Sequence, residues 1–455
     1  WYELTPDFDN VILKDEWIPY AKGGPFKKHA GNLWTVVKFR NNGQELASDK
    51  RSALNNSDHY FKKGITFTGA GSKGNSFRFL PEGSIFDTGS RSLFPKTQSK
   101  DQIEYLQGYL NSKLASNILD CLNPTVNTTV GDLKRVPYVF YSCEEINLIG
   151  KLSRINIDIV NSCDSYTIIN RSHFNTPFAN AKYKDGKVNI KRYFNFENYL
   201  LTQVLINEAI IDEKIFKVYD LTAHDKAMVL AKEGKSIGSL PVLAEARTAY
   251  LEETEATAAF PLDHIRDYIE SLPTKSFTAE EQETIESGFP SLYQSNNDLE
   301  EFCIRHQVNP INIWYWFKQS RVIPKQRMHT VAMEFLVDMV REILMEDEDG
   351  IIPLVPNAGE KILLDRIEDK FYERGFSSAQ YSSFDSVLGR PIHEYLNKYF
   401  FAELSDHLTV CRLQIQVDVF NIKRTALSSS NQLTYPLWHF FFFRLLNANS
   451  MINVF

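Results

Sequence analysis

Closely spaced cysteine pairs are absent. The five cysteines (Cys121, Cys143, Cys163, Cys303 and Cys411) are scattered and never stand as Cys-x-x-Cys. A disulfide framework or a zinc knuckle needs paired spacing, so neither is expected, nor is any metal ligand set; buried free thiols in a reducing compartment are the expectation. Long apolar runs are missing too. Trp438–Leu446 (WHFFFFRLL) is the most apolar stretch, yet it is too short to span a bilayer and contains Arg444. No membrane association is expected. The opening WYELTPDFDN has neither an initiator Met nor a basic-then-apolar run, which reads as a cytoplasmic protein and as a piece of a longer chain.

Catalytic signatures are missing as well. There is no Walker loop, no His-Glu-x-x-His and no Gly-x-Ser-x-Gly. Phe67-Thr-Gly-Ala-Gly71 copies the Phe-x-Gly-x-Gly of S-adenosylmethionine-binding loops, but such a loop joins a strand to a helix. Here Ser72–Phe79 reads as a turn and another strand. Amino-methylating DNA enzymes also need an Asn/Asp-Pro-Pro-aromatic tetrapeptide to hold the exocyclic amine. Asn123-Pro124 runs into Thr-Val and Asn309-Pro310 into Ile-Asn, so neither supplies it. Glu368-Asp-Lys370 ends like a nuclease motif without the Pro-Asp that should precede it. No catalytic and no cofactor-binding residue is assigned.

What is present is a folded, two- or three-domain composition: 455 residues, 43% hydrophobic and 24% charged. Its 32 Phe and 21 Tyr suit a large core or base-stacking surfaces equally. The charge is uneven. Lys22–Lys100 holds 14 Lys and Arg against 5 Asp and Glu, a local +9; with −7 overall, the remainder carries −16. Such asymmetry is a hint of nucleic-acid contact, because cations gain affinity for phosphate by releasing its counterions.

Hydrophobic patterning predicts an α+β fold: a small α/β module over 1–140, a helical connector over 141–255 and a mainly helical domain over 256–455. Leu33–Phe39, Gly64–Thr68, Ser76–Leu80 and Ser84–Asp87 read as strands, since β-branched and aromatic residues cluster there between turn signals. Asp101–Asp120 reads as one helix on the spacing of Ile103, Leu106, Leu110, Leu114 and Ile118. A loop is expected at Asn175–Asn189, a capping box at Thr278/Glu281, a cap at Asp298, and amphipathic helices at Met328–Met345 and Gly359–Arg374. Asp298–Ser320 has the rhythm of a helix-turn-helix, with Asn312, Tyr315, Lys318 and Gln319 on polar positions. Its Ile311, Ile313, Trp314, Trp316 and Phe317 favour a plain helical hairpin instead.

The most specific pattern is an ordered series: Trp17-Ile-Pro-Tyr-Ala-Lys-Gly-Gly24 with Lys27-Lys28 and Gly31-Asn32; Tyr60–Thr66; Arg78–Asp87; Leu106–Lys113; Leu122–Thr125; Val130–Pro137. Taken in order, it resembles the target-recognition region of the PglX family, the adenine-specific DNA methyltransferases of BREX phage-defence systems, related in layout to fused type II restriction–modification enzymes. The last elements also echo type I restriction specificity subunits. Asp164-Ser-Tyr and the acidic Asp347–Leu354 continue the resemblance more loosely. It implies double-stranded DNA as partner, possible contacts with other defence-system proteins, and a catalytic half using S-adenosylmethionine that would lie before Trp1. For reading DNA, Lys22, Lys27, Lys28, Lys62, Lys63 and Lys73 are the phosphate candidates, and Asn32, Asn75, Arg78 and Arg91 the base-edge candidates. The competing class is a protein-interaction module whose acidic helical part contacts a partner or a phage DNA mimic.

Overall fold

β-branched and aromatic residues build two small sheets at the N-terminal end. The computed structural model describes residues 2–3, 17–49, 52, 54–71, 73–96, 100–140, 143–168, 176–178, 187–257, 263–294, 298–347, 352–355 and 359–408. Trp438–Leu446 and Cys411, and most of Asn175–Asn189, lie outside these residues. The first sheet has the order β1 (Tyr2–Glu3), β3 (Thr35–Lys38), β2 (Trp17–Ala21), β6 (Ile85–Phe86), with β6 parallel to β2 and the other pairs antiparallel. The second sheet, β5 (Phe77–Leu80), β4 (Gly64–Thr68), β7 (Ser90–Leu93), is antiparallel throughout, with Phe67 opposite Phe77 and Thr68 opposite Ser90. The expected strands are therefore present, and β1, β2 and β7 join them.

The remainder is helical, so the fold is α+β. The expected helix at Asp101–Asp120 is two: α1 (Lys100–Leu110) and α2 (Lys113–Leu122). Tertiary bonds break it. The Asn111 side chain accepts from Phe77 N at 3.0 Å and donates to Phe77 O at 2.9 Å, while Ser112 restarts the helix by accepting from Ala115 N at 3.3 Å. α1 packs on α3 (Glu144–Asp164), where a Cβ on Gly108 would collide with Ser153 and Ile149. The long α4 (Lys187–Val218) follows and serves two cores. Its Ile190, Tyr193, Phe194 and Leu205 join Phe335, Phe371 and Phe384; its Tyr199, Val204, Ile206 and Ile210 join Tyr105, Tyr109, Ile149 and Trp314. That second core also takes in Ile65, Phe67 and Phe77 of the antiparallel sheet, whereas Tyr20, Val37, Phe39, Leu80, Ile85 and Phe86 form a small cluster of their own.

Thr278 and Glu281 form a capping box, and Asp298 accepts from Glu301 N at 2.8 Å, both as the sequence implies. The helix-turn-helix rhythm resolves as the hairpin. α5 (Leu299–His306) leads to α6 (Pro310–Gln319), whose Ile311, Ile313, Trp314, Trp316 and Phe317 are all buried. Asn312 is buried with them, accepting from Leu243 N at 2.9 Å, so of the polar positions only Lys318 and Gln319 at the end of the helix are exposed. α7 (Lys325–Glu346) and α8 (Leu363–Glu373) match the two amphipathic segments, the latter starting later than expected. The expectation of uniformly buried thiols fails in part: Cys303 is buried, Cys143 and Cys163 are half-buried, and Cys121 is exposed. Among the described residues no helix is long and apolar enough to cross a membrane, and no cluster of His, Cys, Asp and Glu could hold a metal ion.

Candidate nucleic-acid interface

The ten candidate residues fall into two groups. The first lies on a seam where the loop between β2 and β3 meets the helices. Lys27 Nζ is 2.6 Å from Asp164 Oδ1 at the end of α3, and the approach is open because Gly31, at φ +108°, has no Cβ to meet the Lys27 stem. Lys28 bridges Glu208 of α4 (2.7 Å) and Glu300 of α5 (2.8 Å), with His29 Nε2 2.7 Å from Glu208. Burial acts to lower the Lys28 pKa, but the two carboxylates outweigh it and hold the ammonium charged, well above the usual lysine range. Burial likewise works to raise Glu208, and Lys28 and His29 overcome it, holding that carboxyl well below its ordinary value. For Glu300 burial wins: its pKa is raised in spite of Lys28. Desolvating an ion costs several kcal/mol, so these charges are stable where they are only as a set.

Backbone bonds close the seam. His29 N donates to Phe77 O at 3.1 Å and Phe79 N to His29 O at 2.8 Å, an added edge on β5, and Gln107 Nε2 caps the same carbonyl at 2.7 Å. Lys63 pairs with Glu104 of α1 at 3.2 Å and lies over the Phe79 ring. Asn32 is buried, donating to Pro25 O at 2.9 Å, and Arg78 is wholly enclosed. As placed, Asn32 and Arg78 present no side chain at the surface, Lys28 is mostly enclosed, and Lys27, Lys28 and Lys63 are committed to carboxylates.

The second group stands on an exposed rim where four loops meet. Gly69 N donates to Gly89 O (3.3 Å), Gly71 N to Val126 O (3.1 Å), Thr128 N to Gly69 O (3.0 Å) and Thr68 Oγ1 to Gly24 O (3.2 Å). Arg91 donates to Thr128 O with its guanidinium flat against Gly69, where a Cβ would lie 2.9 Å from Cζ. Thr128 in turn donates to Asn75. Phe26, Ala70, Gly71, Lys73, Gly74, Thr88, Val126 and Thr129 are exposed there, and Lys22, Asn75 and Arg91 are half-buried. Lys73 reaches Glu301 across the surface, a contact of little energetic weight. Lys62 is exposed but precedes β4, about 20 Å of extended chain from Thr68. The structure thus gathers Lys22, Lys73, Asn75 and Arg91 and leaves the other six elsewhere.

The residues that sequence reasoning missed are the partners: His29, Glu208 and Glu300 at the seam, and Thr68 and Thr128 at the rim. Only Asp164 had a signal, in the loose motif after the recognition region. Phe67–Gly71 does not fit a cofactor loop: Phe67 is wholly buried opposite Phe77, and the next element is β5, so no helix N-terminus faces the glycines.

No protein-family model matches the chain. It is 29% identical over 224 residues, 48% of its length, to the adenine-specific methyltransferase BrxX of Escherichia coli O9:H4 (strain HS), covering 18% of that protein. It is 32% identical over 128 residues, 27% of its length, to the adenine-specific methyltransferase PglX of Lacticaseibacillus casei (strain Zhang), covering 10% of it. The chain therefore spans less than a fifth of either curated relative. Over the matched stretches it is a PglX/BrxX-like protein, similar to proteins named as adenine-specific methyltransferases.

Proposed function

We propose that this chain reads DNA for a PglX/BrxX-like, adenine-specific DNA methyltransferase of the BREX phage-defence type. The observation that carries the reading is convergence. Motif elements from Lys22 to Thr129, up to a hundred residues apart, meet at one exposed rim of glycine backbone, hydroxyls, amides and cations. Close backbone approach, phosphate-binding cations and base-edge amides are what duplex recognition requires. On the rim, Lys22 and Lys73 serve phosphate, and Asn75 and Arg91 face base edges. The target adenine leaves the stack in such enzymes, since its amine is out of reach inside the duplex. S-adenosylmethionine is the methyl donor of the intact enzyme, and no residue of this chain is given a step in the transfer. The helical remainder braces the rim through the seam.

Binding of a labelled duplex, followed by anisotropy at rising salt, tests this. Affinity should fall linearly with salt on logarithmic axes, as counterion release requires. No affinity at low salt, or affinity insensitive to salt, overturns the reading.

A further inference from the structure

Arg78 is 0% exposed, and its hydrogen bonds go to neutral oxygens: Nη1 to Lys27 O (3.4 Å) and Ser76 Oγ (3.3 Å), Nη2 to Thr68 Oγ1 (3.1 Å). Nε has no acceptor. Three partly enclosed cations are matched by carboxylates, Lys28 by Glu208, Arg327 by Glu197 at 3.0 Å and Lys370 by Glu346 at 2.8 Å, while Lys191, less deeply buried than Arg78, is held by Phe317 O at 2.7 Å and Val322 O at 3.0 Å. Among the described residues Arg78 has no such partner, and burial pushes its pKa down to about 10 with no carboxylate opposing. A guanidinium has five donors in a rigid fork, and a structural arginine normally spends them. An uncompensated buried charge is costly and calls for an explanation.

The cover over this charge is thin. Thr68 Oγ1, which accepts from Arg78, donates to Gly24 O, and Gly24, Pro25 and Phe26 are exposed. The covering loop is strained: besides its glycines, His29 (φ +69°) and Asn32 (φ +58°) hold left-handed backbone, which bulky residues adopt at a cost. It is also under-satisfied, since His29 Nδ1 and Asn32 Oδ1 are buried without partners.

We propose that Arg78 is the counter-charge of a phosphodiester site under the Gly23–Phe26 turn, uncovered when that turn lifts while Lys27–His29 stay anchored to the helices and β5, with Thr68 and Ser76 as the neighbouring hydroxyls. In this assignment Arg78 positions the backbone of the duplex and does not read a guanine. The proposal rests on the DNA-contacting reading above, and its test separates the two.

Arg78→Met removes the charge but keeps the bulk. In duplex titrations the variant should bind more weakly across all sequences, with the logarithmic salt slope smaller by about one. In thermal melts, sulfate should stabilise the unmodified chain more than chloride at equal ionic strength, and the variant should lose that difference. An unchanged slope, or a loss confined to one base position, overturns the assignment. If the unmodified chain fails to bind duplex, the functional reading fails and the sulfate comparison decides the anion site on its own. If the variant does not fold, hydrogen exchange on the unmodified chain takes its place: sulfate should slow exchange at Gly23–Phe26, and unchanged exchange there overturns the proposal.

Discussion

The seam and the rim share one loop and one run of basic sequence, yet they use charge in opposite ways. At the seam Lys27, Lys28 and Lys63 are paired with Asp164, Glu208, Glu300 and Glu104, all from helices. At the rim Arg91 donates to the neutral Thr128 O, and the exposed Lys73 reaches Glu301 only across the surface. A local +9 is therefore not +9 of available charge: part of it is neutralised by the −16 of the rest of the chain. Net charge over a window measures potential partners, internal or external, and only geometry says which.

The sharpest break in the comparison comes from Lys28→Ala. Glu300 would be left enclosed without a cation and Glu208 with only His29, costing about 3–5 kcal/mol, whereas Lys62→Ala at an exposed site should cost under about 0.5 kcal/mol. Chemical denaturation of both variants checks this, and equal effects would dissolve the distinction.

A second contrast lies within α4. Asp212 is one turn beyond Glu208, and among the described residues no cation forms an ion pair with it; burial raises its pKa to about 6 in spite of bonds from Ser236 and Lys113 N and the nearby Lys113 charge. An acid raised in the folded state stabilises the fold below its unfolded value and loses that contribution as pH rises through the folded value. Stability should accordingly fall by about 3 kcal/mol between pH 3.8 and about 6 on account of this group. Asp212→Asn should remove that part of the slope, visible as the difference between the two proteins' denaturation midpoints across the range. Glu208→Gln should show the opposite sign.

Gly31→Ala tests the approach of Lys27 to Asp164. At φ +108° and with a Cβ 2.8 Å from Lys27 Cδ, it should cost about 1–2 kcal/mol in thermal melts. The smallest change in stability is expected at the rim. Lys73→Ala should leave folding within about 0.5 kcal/mol and reduce the salt slope of duplex binding by about one. A large loss of stability there would show that the rim is braced as tightly as the seam.

The strands were legible because β-branched and aromatic residues fall between turn residues, and the capping box at Thr278 because it is local. The break between α1 and α2 was not, since its cause is Asn111 gripping Phe77, 34 residues away. The seam was invisible for the same reason on a larger scale: Lys27 meets Asp164 across 137 positions, and Lys28 meets Glu300 across 272. Basic loop residues look alike in sequence whether they await phosphate or already hold a carboxylate. The apolar face of α6 gave the opposite lesson: five large side chains in seven residues outweighed the helix-turn-helix rhythm.

The split between the two sheets sets a hierarchy of tolerance to change. β4 and β5 send Ile65, Phe67 and Phe77 into the helical core, so altering them means recutting α1 and α4 as well. The four-stranded sheet keeps its cluster around Tyr20, Val37, Phe39 and Ile85 largely to itself. Apart from the β2–β3 loop, which the seam pins to the helices, this sheet can change at low cost to the rest of the molecule. That cluster is the part of the fold that is cheapest to rewrite.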